Sequence, residues 1–238
     1  MSDEARGVFS VEALPGLEAY AALLCDEGVV RGLIGPREGD RIWDRHLVGC
    51  GLLAEVLPRD VAVCDIGSGA GLPGLVLALT RPDLRVTLVE PLLRRTTYLE
   101  EAVDRLRLDN VEVVRGRADA LHGERRFDVV TSRAVAPLER LLRWSMPLVA
   151  PDGVLLAMKG RSVADEVPEA RGVIDELGLS DPEVSVVGEG RVAELTTVVR
   201  VAWADPSSVG WPPPGAPRRA KSSRGRSGGR KGGRAGGR

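Results

Sequence analysis

Three cysteines, at positions 25, 50 and 64, are odd in number, and no two of them form a C-x-x-C pair. Neither a disulfide framework nor a zinc site is indicated. His46 and His122 are the only histidines, which nearly excludes a histidine-rich metal centre. No apolar run approaches the ~20 residues that a membrane span requires. The opening Met1-Ser-Asp-Glu-Ala-Arg-Gly7 lacks the charged start and apolar core of a secretory signal. These absences point to a cytoplasmic protein with no membrane association. What remains is ordinary for a globular chain: 238 residues, 43% of them apolar and 28% charged, enough for one α/β domain with appendages.

The net charge of −1 conceals an asymmetry. Residues 215–238 carry seven Arg, two Lys and no acid, so the rest of the chain holds 24 basic against 34 acidic side chains. An acidic body is joined to a basic Gly/Arg/Ser tail through the Pro-rich stretch that begins at Asp205. With almost no apolar side chain to bury, the tail is expected to be disordered.

Hydrophobic periodicity predicts a helix over residues 10–24, a looser stretch at 28–39 and a second helix over 42–57 that ends before Pro58. From Val61 onward strands and helices alternate. Strands are read at 61–66, 85–90, 111–114, 127–131 and 153–158, with a helix over 92–108 and another opened by Pro137. A helix in 162–178 contains Pro168, which kinks it or marks its true start. Two closing strands at 184–187 and 196–203 lie close enough in sequence to form an antiparallel pair. The fold class is α/β: a Rossmann-like, doubly wound sheet (residues 59–204) with a small N-terminal helical cap (1–58) and the linker and tail (205–238).

Val61-Ala-Val-Cys-Asp-Ile-Gly-Ser-Gly-Ala-Gly-Leu-Pro-Gly74 runs from the first strand through a glycine-rich turn into a helix. Four glycines in eight residues mark a backbone that takes positive φ or approaches a ligand closely. Amides at the helix start past Gly71 would then face something electron-rich. Gly69-x-Gly71-x-x-Gly74, with Glu90 at the end of strand two, suits a dinucleotide fingerprint. Two details favour another cofactor. Asp65 puts an acid where a pyrophosphate would be repelled, and Pro73 removes an amide from the turn. A sulfonium and an ammonium suit that acid better, as in S-adenosyl-L-methionine, with Glu90 accepting from the ribose diol. An NAD-binding oxidoreductase, a non-enzymatic nucleotide-binding module and an ordinary tight turn are the rival readings.

Asp65-Ile-Gly-Ser-Gly-Ala-Gly-Leu-Pro-Gly74, Trp43-Asp-Arg-His-Leu47, Thr131-Ser-Arg-Ala134 and Met158-Lys-Gly160 together resemble the bacterial 16S ribosomal RNA guanine-N7 methyltransferase G family, also called glucose-inhibited division protein B. The resemblance spans residues 10–203. It implies methyl transfer from S-adenosylmethionine to N7 of one guanine in the 530 loop of 16S rRNA within the small ribosomal subunit. It also implies cofactor contacts at Gly67, Leu72, Ala118, Asp119 and Arg133, beside Asp65, Gly69 and Glu90. Arg45, His46 and Lys159 are offered as RNA or target-base contacts. Family members commonly carry Trp-Asn and Asn-Leu-Thr near the end of the N-terminal region, where this chain reads Asp26-Glu-Gly-Val-Val-Arg-Gly-Leu-Ile-Gly35.

The residues fit that chemistry. No cysteine follows a proline, as pyrimidine C5 methylation would require, and the strand-four loop Thr131-Ser-Arg-Ala-Val-Ala-Pro137 is not the Asn/Asp-Pro-Pro-aromatic loop of amine methylation. Guanine N7 has a free lone pair, so no catalytic acid or base is assigned. Another RNA or a small molecule is the alternative substrate. The basic tail is read as a non-specific RNA tether or a dispensable extension.

Overall fold

In the computed structural model, residues 2–35, 38–160 and 163–210 are described; the basic tail read from the sequence lies outside them. The alternating apolar segments form seven strands: β1 (Ala62–Ile66), β2 (Arg85–Glu90), β3 (Val111–Arg115), β4 (Phe127–Arg133), β5 (Val149–Lys159), β6 (Glu183–Val187) and β7 (Thr196–Ala202). They lie in the order β3-β2-β1-β4-β5-β7-β6. The first five run parallel. The last two form the antiparallel pair expected from sequence, with β7 set between β5 and β6.

Side chains alternate across each strand, and this sorts the core onto two faces. Val63, Val86, Leu88, Val129 and Val198 pack under one helical layer; Cys64, Val89, Val130, Leu155 and Val199 pack under the other. The first layer holds α1 (Asp3–Val8), α2 (Leu14–Leu23), α3 (Val48–Glu55), α4 (Gly74–Thr80) and α5 (Leu93–Leu106). The second holds α6 (Leu138–Ser145), α7 (Val163–Glu169) and α8 (Arg171–Leu177). Leu17, Leu47, Leu52 and Leu75 are fully enclosed in the first layer, each contributing about 1.5–3 kcal/mol. The N-terminal helices therefore share one buried cluster with the sheet.

Two expectations need correction. Residues 42–57 are not one regular helix: Ile42–Leu47 is a wide π turn, and α3 starts only at Val48. A π turn breaks the 3.6-residue period, so the apolar pattern could not reveal it. Of the two readings of Pro168, an interruption of the helix holds and a helix start does not. That residue sits near the end of α7, which stops at Glu169, and α8 begins at Arg171. The proline cannot donate to the carbonyl four residues back, and its ring crowds that carbonyl, so the helix ends within one further residue.

The spatial order reverses at β1, with β2 on one side and β4 on the other. Ligands of such sheets bind outside the carboxyl ends of the strands at that switch. Register brings Ile66 beside Val89, Glu90 beside Arg115 and Asp65 beside Thr131. The loops after β1, β2, β3 and β4 therefore open on one edge.

Candidate cofactor and substrate site

The glycine loop bends through Gly67, Gly69 and Gly71, at φ of 69°, 57° and 99°. Most of its amides are spent inside the protein. Those of Gly67 and Ser68 donate to the Val89 carbonyl, and those of Gly71 and Leu72 to the Ser68 carbonyl. The Gly69 amide donates to Glu90 Oε2 at 3.1 Å, and the Gly74 amide to Asp65 Oδ2 at 3.1 Å. This corrects the expectation that amides at the helix start aim at a ligand. α4, moreover, is only seven residues long. A phosphate needs such donors, so this loop is not a phosphate cradle.

Asp65 is likewise placed differently from the sequence reading. Its side chain is fully buried beneath the loop, and it does not line the cleft described below. The reason is strand alternation: Asp65 shares the face of Val63 and points under α4, where it holds the Gly74 amide. Burial pushes its carboxyl up to about 7, against the opposing pull of that amide and of Ser68. Asp65 braces the loop from behind.

Above the loop lies a cleft of about 770 Å³. Gly67, Gly69, Leu72, Glu90, Ala118 and Asp119 line it, as do Arg45, His46 and Arg133. Glu90 forms part of the wall; its Oε1 accepts from the Leu92 amide at 3.0 Å, and Arg95 Nη1 stands 3.6 Å from Oε2. Ile34, Leu72, Ala118 and Trp144 supply apolar wall. Internally satisfied amides, an acid and apolar sides fit an adenosine carrying a positively charged sulfonium rather than a pyrophosphate.

At the end of β4, Arg133 reaches across to the N-terminal region. Its guanidinium donates to the carbonyls of His46 and Arg45, each at 3.3 Å, and to His46 Nδ1. The other ring nitrogen, Nε2, lies 2.7 Å from Glu38 Oε2. A guanidinium can only donate, so Nδ1 accepts and Nε2 carries the proton toward Glu38. Burial and the Arg133 charge both lower the His46 pKa, outweighing Glu38, and keep the ring neutral at pH 7. Glu38 also takes Arg45 Nη1 at 3.1 Å, and its own pKa is lowered by the bond to His46. The π turn at 42–47 presents Arg45 and His46 to this cluster.

A second cleft of about 480 Å³ adjoins the first and shares Arg45, Arg133, Ala134 and Val135 with it. Lys159 lies here and not in the first cleft. Its ammonium pairs with Glu166 Oε2 at 2.6 Å and donates to the Ala136 carbonyl at 2.9 Å. Sequence reasoning missed Ile34, Glu38, Trp144 and Glu166. None sits in a motif; Glu38 and Ile34 lie in the segment read as loose, and only the fold brings them to the site.

Sequence comparison agrees with this geometry. A model of the family described as rRNA small subunit methyltransferase G matches residues 13–193. The chain is 58% identical over 226 residues to the ribosomal RNA small subunit methyltransferase G of Nocardioides sp., covering 95% of this chain and 90% of the relative. It is 50% identical over 226 residues to the protein of that name from Streptomyces coelicolor, covering 93% and 92%. Among solved structures, the ribosomal protein L11 methylase of Lactobacillus delbrueckii subsp. bulgaricus superimposes with a TM-score of 0.51 at 15% identity, over 67% of this chain and 78% of that one. That likeness establishes a Rossmann-like methyltransferase fold. With the family matched over most of its length, the chain belongs to the rRNA small subunit methyltransferase G family.

Proposed function

We propose that this enzyme transfers the methyl group of S-adenosylmethionine to N7 of one guanine in the 530 loop of 16S rRNA, with the small ribosomal subunit as its partner. The observation that carries the cofactor half is the glycine loop, whose amides at Gly67, Ser68, Gly69, Gly71, Leu72 and Gly74 are committed internally, beside Glu90. When bound, the cofactor supplies an electrophilic methyl group on a sulfonium. The protein's work is to place a lone pair in line with that carbon. Transfer would break the S–CH3 bond as the N7–CH3 bond forms and would move no proton, so the protein's orientation of the two can supply roughly 7–11 kcal/mol.

The cysteines fit this economy. Cys50, 3.8 Å from Arg133, is buried, and burial pushes its thiol up to about 11. Burial also pushes the Cys64 thiol up. Neither offers the thiolate that covalent attack on a pyrimidine requires. Arg133, held by His46 and the Arg45 carbonyl, stands where the two clefts meet, between the loop that holds cofactor and the space for a base. The neutral His46 spares the site another cation beside a purine that becomes positive as it is methylated. The basic tail, by its charge alone, suits a sequence-independent tether to the same RNA.

The test supplies labelled S-adenosylmethionine and unmethylated small subunits, then cleaves the RNA chemically at N7-methylguanine. One new cleavage site in the 530 loop is expected; none would remove the reading.

A further inference from the structure

The second cleft has the chemistry of a guanine edge. Arg133, Ala134, Lys159, Glu166, Thr196 and Thr197 line it. Lys159, whose side chain is 8% exposed, is held by Glu166 and by the Ala136 carbonyl, which uses two of its three N–H groups. Glu166 accepts from Lys159 and from the Leu138 amide at 2.7 Å, and both bonds use Oε2. Among the described residues Oε1 has no such partner, and 21% of the side chain is exposed. An ammonium donor thus sits on one wall beside a carboxylate oxygen with no partner among the described residues.

Guanine presents the complement of that pair. Its N1–H and N2–H donate on the pairing edge, and its O6 accepts at the corner between that edge and N7. N7 lies beside O6 on the major-groove edge, away from N1 and N2. Enzymes that modify a base take it out of the stack and read its pairing edge in a pocket. A guanine gripped at N1 and N2 by Glu166 and at O6 by Lys159 keeps N7 ungripped beyond O6, in a cleft whose Arg133 and Ala134 wall is shared with the first cleft. Glu166 and Lys159 themselves do not line that first cleft. Adenine would set an N1 lone pair against the carboxylate and an amine against the ammonium.

Resting on the function proposed above, we infer that the second cleft is the target-base site and that Glu166 selects guanine through its N1–H and N2 amine. The test uses the full-length enzyme on small subunits whose target guanosine is replaced by inosine, which keeps N7, N1–H and O6 but lacks the N2 amine. Wild type is expected to methylate guanosine about five- to a hundredfold faster than inosine, the range for one such base contact. In Glu166→Gln that ratio falls toward one, with S-adenosylmethionine affinity unchanged by calorimetry. Lys159→Met is the second arm: it removes a contact to O6, which both bases share, so both rates fall together and the ratio persists. A wild-type ratio in E166Q overturns the assignment, as does a ratio lost in K159M. A wild-type enzyme that labels no guanine N7 instead removes the function proposed above.

Discussion

At the scale of single residues, the site depends on one neutral imidazole and on glycines that tolerate no side chain. His46 accepts from Arg133 only while Nδ1 is unprotonated. Its pKa is lowered in the fold, so the unfolded chain takes up a proton first as pH falls. Stability from this group is therefore complete above the ordinary value of 6.5 and is lost as pH drops through that value toward the lowered one. Methylation rate should fall over the same window, because a protonated ring repels Arg133. His46→Gln, which cannot titrate, is expected to be slower and to lose the fall below pH 6.5, keeping only what the Asp65 carboxyl at about 7 contributes; an acid limb unchanged in H46Q assigns the titration away from His46. Gly71 supplies the steric case. At φ 99°, an added Cβ would lie 2.4 Å from Leu75 Cδ1 and 3.0 Å from the Tyr20 hydroxyl. Gly71→Ala should cost about 1–3 kcal/mol in thermal or urea unfolding and weaken S-adenosylmethionine binding in calorimetry.

At the scale of elements, α2 clamps the loop from the N-terminal side. The Tyr20 hydroxyl, wholly buried, donates to the Ala70 carbonyl at 2.8 Å, fifty residues away in sequence. Tyr20→Phe keeps the ring but leaves that carbonyl unpaired. A loss of about 1–3 kcal/mol is expected, with weaker cofactor binding because the loop loses its outer support. Normal affinity at reduced stability would confine Tyr20 to the fold. This scale also separates what could be read in the sequence from what could not. β1, β2 and β4 are apolar runs because parallel strands inside the sheet are buried on both faces, and the strand positions emerged to within a few residues. The exception is β5, which starts four residues earlier than the apolar pattern, at Val149, across Pro151. The glycine pattern and the end of the second strand located the loop and Glu90, whereas Gly67, Ala118 and Arg133 came from the family resemblance; all of them line the first cleft. Asp65 was misplaced because a motif gives a position but not the face to which the side chain turns. Glu38 and Glu166 left no local signal; they reach the site through the π turn and through α7, and tertiary packing alone determines that.

At the scale of the whole molecule, charge poses the remaining problem. Outside residues 215–238 the chain carries ten more acids than bases, and a polyanionic substrate should repel it. Many of its arginines are already engaged: Arg31 with Glu27 and Glu101, Arg143 with Glu176, Arg191 with Glu55. Such pairs have little charge left for phosphates. The nine cations at positions 218–238, with no acid among them, are not balanced in this way along the chain. If they meet RNA phosphates, each engaged cation releases counterions, and the logarithm of affinity falls with the logarithm of salt by about 0.7 per contact on single strands. Deleting residues 215–238 should therefore weaken RNA binding at low salt and flatten that slope by up to about six units. The choice of guanine should survive, because it belongs to groups on the sheet. Filter binding across a salt series, paired with mapping of the methylated position, separates the two. A slope unchanged by the deletion removes the tether, and a shifted methylation position would mean that the tail helps to choose the base.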